Sequence, residues 1–526
     1  MRRGRPFALA ALFLGCGPLM GQAPEGWNAR QILGADVPKD VTSWLGGGVW
    51  AANQSGPPAT LIDSLGMGNS LTGTGVSVEG GINREAWSFA LQALAFRDKQ
   101  GADRLTIFQG HLAWQSPGGW KLGLEDEPLV WGYGLTGGYL LGEADRPFPR
   151  FRVESPHTQL GLFGVSLGTW GFQWFTGKLE NDRRVPDNSQ QPSLSAHMIQ
   201  ANGEPQAPLF SGYRVDGSFH DGKIECYANW TVLWGGTRNG VPMTSGYSLK
   251  EYLTAMTGLK DPLAETSVNF SDPNHPAASY ANGALSSTNF DMGVRFQLEP
   301  LANLFSAERS WGYVSRGTKG ATLEWGVLVH KPLYWIGQDV SRDLRYVLQT
   351  NYRGAWYDQQ NKVVPNLIAP DDTFGLLFQW PGLRLGVERR STANSPAISY
   401  RSFVNSVYAT GFYRDGDPLG EALGGEADFT TLRLECDFTS RLTSTFWFIR
   451  GYRPFRDDPA LWAADHPGAL STTDRFTDLQ GDLAWNLDGA RIIRAGAAWE
   501  GRSAADYILG NRGNGFRWFL ELTARW

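Results

Sequence analysis

From Phe516 to Trp526 the chain changes character at every second residue. Phe516, Trp518, Leu520, Leu522, Ala524 and Trp526 share one parity; Arg517, Phe519, Glu521, Thr523 and Arg525 share the other. Successive side chains of a β-strand point to opposite faces, so this is a strand with one apolar face. The same alternation runs through Ile224, Cys226, Ala228, Trp230, Val232 and Trp234, through Leu432, Leu434, Cys436 and Phe438, and through Trp87, Phe89, Leu91, Ala93 and Ala95. Both cysteines of the mature chain fall on the apolar parity, where they read as small hydrophobes. Beyond the first twenty residues nothing approaches the ~20 apolar residues of a membrane-spanning helix, and mean hydropathy is −0.30. A helical membrane protein is excluded. Aromatics make up 13% of the chain and are spread along it, which argues against disorder.

An apolar strand face needs a partner. In a soluble sandwich it is a second sheet; in an outer-membrane barrel it is lipid, with a polar lumen opposite. So many Trp and Phe residues on apolar faces favour lipid, because an exposed patch of that size has no place on a soluble protein. An aromatic residue closing the last strand resembles the terminal signal of outer-membrane barrels. The reading is all-β: a single large antiparallel transmembrane barrel of about 18 strands, at most 20, with long outer loops and a short helix. Strands are expected near 43–53, 71–82, 85–97, 103–115, 118–127, 151–166, 169–182, 208–220, 223–235 and 284–298. They continue near 302–316, 319–333, 339–357, 371–380, 383–390, 424–438, 441–453, 472–486, 489–502 and 512–526; dropping one hairpin within 299–338 gives eighteen. Tight turns near Asn83-Arg84, Gly168, Asp221-Gly222, Pro381-Gly382, Ser440 and Asp488-Gly489 alternate with long loops, as short periplasmic turns alternate with outer loops. An even count puts both termini in the periplasm.

Arg2, Arg3 and Arg5, the apolar run Phe7 to Leu14, and Gly21-Gln22-Ala23 have the layout of a secretory signal peptide. Residues 1–23 are read as that signal, 24–42 as a short periplasmic lead-in and 43–526 as the barrel. Losing three leader arginines takes the formal charge from −5 to about −8. That balance disfavours nucleic acid as a partner, because its phosphates demand a basic surface. Cys226 and Cys436 form neither a disulfide framework nor a metal cluster.

Two motifs tempt. Gly164-Val165-Ser166-Leu167-Gly168 matches the nucleophile elbow of hydrolases, but that chemistry needs a helix after the turn, and here alternation resumes at Thr169. Gly132-Tyr133-Gly134-Leu135-Thr136-Gly137 matches a dinucleotide fingerprint with no helix behind it, so it reads as a tight loop. The seven histidines (His111, His157, His197, His220, His275, His330 and His466) lack metal-ligand spacing. No catalytic residue, cofactor or metal is expected. In the loop 236–283, Ser248-Leu249-Lys250-Glu251 is a capping box opening a short helix that Gly258 can close, to plug or brace the barrel mouth.

The segments between strands carry more specific text. Leu129-Val130-Trp131-Gly132-Tyr133-Gly134-Leu135-Thr136-Gly137, followed by Gly142 to Pro147, is similar to a loop of the Wzi capsule-assembly family. Trp234-Gly235-Gly236, then Tyr252 to Gly258 and Asp272-Pro273-Asn274, form a second such block. Tyr408 to Tyr413, Arg414-Asp415-Gly416-Asp417-Pro418-Leu419-Gly420 and Gly424-Gly425 form a third. The blocks keep the family's order, and the similarity runs from about residue 43 to the end. The resemblance implies an outer-membrane lectin that binds and anchors capsular or related surface polysaccharide, is not an enzyme, and meets membrane lipid and the barrel-assembly machinery as its other partners. Two departures stand out. The family's periplasmic helical domain has no counterpart in 24–42, and Val130-Trp131-Gly132-Tyr133 replaces its Trp-Trp-Gly-Pro run.

Sugars offer hydroxyls and apolar ring faces, so a site needs aromatic platforms and fixed donors and acceptors. The outer-loop candidates are Trp131, Tyr133, Tyr139, Arg146, Tyr247, Tyr252, Tyr408, Tyr413, Arg414, Asp415 and Trp462. The alternatives are a diffusion porin, in which the loops leave the lumen open, and an outer-membrane hydrolase using Ser166.

Overall fold

The computed structural model describes residues 43–55, 73–97, 103–135, 137–138, 140–142, 148–181, 183, 205–238, 240–257, 286–317, 371–391, 413–414, 417–418, 427–454, 466–488 and 491–526. The first half of the wall comprises β1 (Ser43–Ser55), β2 (Gly73–Arg84), β3 (Trp87–Arg97), β4 (Asp103–Gln115), β5 (Lys121–Asp126), β6 (Arg150–Glu154, resuming as Thr158–Leu162), β7 (Val165–Lys178), β8 (Leu209–Phe219) and β9 (Ile224–Trp234). The second half comprises β10 (Ser286–Gln297), β11 (Arg309–Gly317), β12 (Asp371–Trp380), β13 (Leu383–Ser391), β14 (Asp428–Asp437), β15 (Leu442–Arg453), β16 (Asp474–Asn486), β17 (Arg491–Arg502) and β18 (Gly513–Arg525). Both segments of β6 pair with β7, so they share one position in the wall.

Each strand pairs antiparallel with the next, and β1 pairs with β18 from Gly46↔Arg525 to Ser55↔Phe516, closing a ring of eighteen. The last residue joins the seam: Leu45 N donates to Trp526 O at 3.1 Å and Trp526 N to Leu45 O at 2.7 Å. Closure leaves no sheet edge with unpaired N–H and C=O groups, the condition for crossing lipid with strands.

The alternation read from the sequence becomes an outside and an inside. On β16, Leu479, Leu483 and Trp485 are 38%, 48% and 52% exposed, whereas Asp478, Gln480 and Asp482 between them are at most 7% exposed. Trp518, Leu520 and Leu522 face out on β18 while Arg517, Phe519 and Glu521 are buried. The outer wall is therefore an apolar belt and the lumen is polar, the arrangement of a membrane barrel.

Three expectations change. β11 pairs directly with β12, from Arg309↔Gln379 to Gly317↔Asp371, so no further hairpin enters the wall between them. The expected strands 319–333 and 339–357 lie outside the described residues, and the expected strand 302–316 opens instead with a short helix, Glu299–Leu304. The turn expected at Gly168 sits at Phe163-Gly164, both with positive φ, while Gly168 lies within β7. That hairpin accounts for the elbow-like motif: Ser166 Oγ accepts from Gln159 Nε2 at 2.7 Å and from Gly168 N at 3.3 Å, and a strand, not a helix, follows.

Candidate functional site

β5 and the first segment of β6 are only six and five residues long. The chain between them therefore leaves the wall partway along the barrel and turns inward. Arg150 Nη2 holds the entry by donating to the Glu127 carbonyl at 2.6 Å. Beyond it Trp131, Tyr133, Leu135, Leu140 and Leu141 are each at most 3% exposed. Trp131 and Leu141 form an antiparallel bridge, with Trp131 N donating to Leu141 O at 3.0 Å. The glycines make that fold possible. A Cβ on Gly138 would overlap the Trp131 carbonyl, one on Gly134 would overlap the Arg390 guanidinium, and Gly132 and Gly137 take positive φ.

The inserted segment touches both sides of the lumen. On the near side Trp131 Nε1 donates to Gln173 Oε1 of β7 at 3.1 Å, and its ring packs in a cluster with Phe148, Phe175, Phe210 and Leu233. Across the lumen Tyr133 and Leu135 pack with Tyr313, Leu377, Phe429 and Trp447, from β11, β12, β14 and β15. Tyr133 meets Tyr227 of β9 edge-on at 5.0 Å and carries the Arg295 guanidinium over its face at 4.7 Å. Glu388 of β13 forms the latch. Its Oε2 accepts from Leu135 N and from Tyr313 Oη, each at 2.7 Å, while Arg390 Nη2 donates to the Gly137 carbonyl at 2.6 Å.

Charge lines the rest of the lumen in compensated groups. Arg433 and Arg384 share Glu435 at 2.7 and 3.1 Å, Arg295 meets Glu225 at 2.5 Å, and Arg502 is paired with Asp474. Burying such charges is tolerable only with these partners in place. One chain resembles a catalytic relay that sequence spacing gives no means of finding: Ser88 Oγ lies 2.7 Å from His111 Nε2, and His111 Nδ1 lies 2.5 Å from Glu127 Oε1. Ser88 sits within β3, paired with Asn83 on one side and Ala113 on the other. Its Oγ also donates to Asn83 Oδ1 at 3.0 Å, which directs the hydroxyl hydrogen away from His111.

Trp131 and Tyr133, expected on an outer loop, are instead buried inside the barrel, because short flanking strands carry their loop inward. Tyr247 and Tyr252 come together at a second place. The helix α1 (Leu249–Thr257) is opened by the expected capping box: Ser248 N donates to Glu251 Oε2 at 2.7 Å and Glu251 N to Ser248 Oγ at 3.3 Å. Those bonds hold the Glu251 carboxyl below its ordinary range. Burial, with Glu251 nearby, pushes the Tyr247 phenol up. Of the two expected roles for this helix, plugging the mouth does not match its placement. Ala255 and Met256 pack with Tyr213, Val232 and Trp234, all on the outward parity of β8 and β9. Tyr213 Oη donates to Met256 O at 3.2 Å, and Trp234 meets Tyr252 edge-on at 5.0 Å. The helix thus lies against the outside of the wall, with Leu249, Tyr252 and Leu253 exposed. Tyr413 and Arg414 form a two-residue ladder with Asp417 and Pro418. Tyr139, Arg146, Tyr408, Asp415, Trp462 and Gly258 lie outside the described residues.

A closed eighteen-strand ring with an apolar outer wall and a charged lumen defines an outer-membrane β-barrel. A scan against protein-family models finds no match, and a search of curated proteins finds none. Among solved structures the chain is similar to Wzi of Escherichia coli, described as an outer-membrane protein involved in group 1 capsule assembly and a carbohydrate-binding β-barrel. The TM-score is 0.54 at 13% identity, covering 91% of this chain and 83% of that one. OpdQ and OprD of Pseudomonas aeruginosa align over 92% of this chain and 98% and 94% of theirs, at TM-scores of 0.43 and 0.42 and 8% and 10% identity. The first likeness establishes shared fold; the other two are too distant in shape to carry an argument.

Proposed function

We propose that this barrel sits in the outer membrane and holds surface polysaccharide at the cell, binding it without catalysis. The observation that carries the reading is the latched loop: Leu135 on Glu388, with Trp131 and Tyr133 packed on opposite walls, crosses the lumen and narrows the bore on which a diffusion porin depends. A barrel built around such a bolt is suited to presenting loops rather than passing solutes. The carbohydrate binding stated for Wzi, which shares the fold, supports the same direction. In this reading residues 1–23 direct export and 24–42 lead from the periplasm into β1. The barrel-assembly machinery inserts the chain, and lipid surrounds it.

Sugar contacts fall to the accessible candidates. Tyr252 is exposed on α1 beside half-buried Tyr247. Tyr139, Arg146, Tyr408, Tyr413, Arg414, Asp415 and Trp462 remain proposed partners on other outer loops. Trp131 and Tyr133 act through the bolt instead, since a buried ring offers no face to a sugar.

Deleting the gene and measuring cell-attached against released polysaccharide tests the reading. The expected result is a shift into the medium at constant total; an unchanged partition refutes anchoring. Planar-bilayer recordings address the porin alternative, with conductance near zero expected for the native chain.

A further inference from the structure

The outer wall changes chemistry along one line. Cross-strand register aligns Val387, Leu432, Phe448, Leu479, Trp499 and Phe516 across β13 to β18, the last apolar row on this flank. The next outward-facing row toward the long-loop end is Arg389, Thr430, Arg450, Thr477, Gly501 and Asn514. The row after that includes Asp428, Tyr452 and Arg475. These rows and Arg512 line a groove of about 630 Å³ on the outside of the barrel.

Five arginines and one carboxylate line this groove, and the buried Arg502 among them is paired with Asp474. Asp428 is occupied, with Arg389 Nη2 2.7 Å away and Tyr452 Oη 3.2 Å away. Among the described residues no ion pair engages Arg450, Arg475 or Arg512, and all three are exposed. An arginine on the lipid face is costly at mid-membrane and far less so at the interface. The step from an apolar row to arginines therefore marks the level at which acyl chains give way to headgroups. Guanidinium groups at that level match phosphate, which they grip with paired, charge-assisted hydrogen bonds. Leu479, Trp499 and Phe516, directly below, offer an apolar track to attached chains.

We propose that this groove is a binding site for the phosphorylated headgroup of an outer-leaflet glycolipid, held by Arg450, Arg475 and Arg512, with its acyl chains against the Leu479–Trp499–Phe516 row. The site lies outside the lumen and does not depend on the polysaccharide reading. It would anchor the β13–β18 flank to individual lipid molecules.

The test uses the full chain folded in detergent and moved into phosphatidylethanolamine nanodiscs containing either diphosphorylated lipid A or its dephosphorylated form. Native mass spectrometry is expected to detect retained lipid A only for the phosphorylated form. The paired change Arg450→Gln and Arg475→Gln is expected to weaken retention about tenfold or more. Heat-modifiable migration on gels checks that the variant barrel is closed; Arg512→Gln, outside the strand ladder, serves if the pair does not fold. Equal retention by native and variant chains overturns the proposal, as does equal retention of the dephosphorylated lipid. Inorganic phosphate binding as tightly as lipid A would reduce the groove to a simple anion site. Displacement of lipid A by soluble acidic polysaccharide would reassign it to that ligand.

Discussion

Glu388 Oε2 lies 2.7 Å from the backbone nitrogen of Leu135, a residue 253 positions earlier in the chain. One carboxylate thereby ties a loop leaving β5 to the strand nearly opposite. The same oxygen takes the Tyr313 hydroxyl, and the neighbouring Arg390 takes the Gly137 carbonyl, so the bolt has several fastenings.

Replacing Glu388 with Ala strands the Leu135 N–H and the Tyr313 hydroxyl and removes the carboxylate oxygen 3.4 Å from Arg390 Nε. Breaking a buried charged group of this kind costs ~3–5 kcal/mol. The wall ladder is untouched, so the expected outcome is a folded barrel whose loop leaves the lumen. Single-channel recordings should show larger conductance for the variant than for the native chain, which is expected to show almost none.

The glycines of the loop should be intolerant in a graded way. Gly138→Ala forces a Cβ into the Trp131 carbonyl and should destabilise the inserted loop by ~3 kcal/mol or more. Gly481→Ala on β16, where the nearest atoms are 4.0 Å from the new carbon, should cost less than ~1 kcal/mol. Limited proteolysis at the loop, compared between the two variants, separates these outcomes.

Acid should loosen α1. The folded-state pKa of Glu251 is depressed by Ser248, so its capping contribution is complete above the ordinary carboxylate pKa and disappears as pH falls through the depressed value. Trp234 fluorescence, sensitive to Tyr252 at 5.0 Å, reports the change. Glu251→Gln should weaken the acid response while leaving the barrel intact.

Ser88 and His111 should prove structural. Ser88→Ala removes the hydrogen bonds to Asn83 and His111, at a cost of about 1 kcal/mol each. Hydrolysis of short-chain esters and of polysaccharide should stay at buffer level for the native and variant chains alike, and a Ser88-dependent activity would contradict the non-catalytic reading.

Tyr252→Ala should lower polysaccharide affinity about tenfold, the loss of one stacked ring face, while Leu253→Ser on the same helix should leave it unchanged. Glycan-array or calorimetric titration of the two variants measures the difference.

The alternation over 516–526 and 224–234 determined strand and face by itself, because a strand has a period of two and each parity keeps one environment. The capping box at Ser248 and Glu251 was equally legible, since its partners are three residues apart. Tertiary structure alone decided three things: that Trp131 and Tyr133 turn into the lumen, that α1 lies outside the wall, and that Arg389, Arg450, Arg475 and Arg512 converge on one groove. Each depends on contacts between residues tens to hundreds of positions apart, and those contacts come into being only when eighteen strands have paired in register and closed the ring.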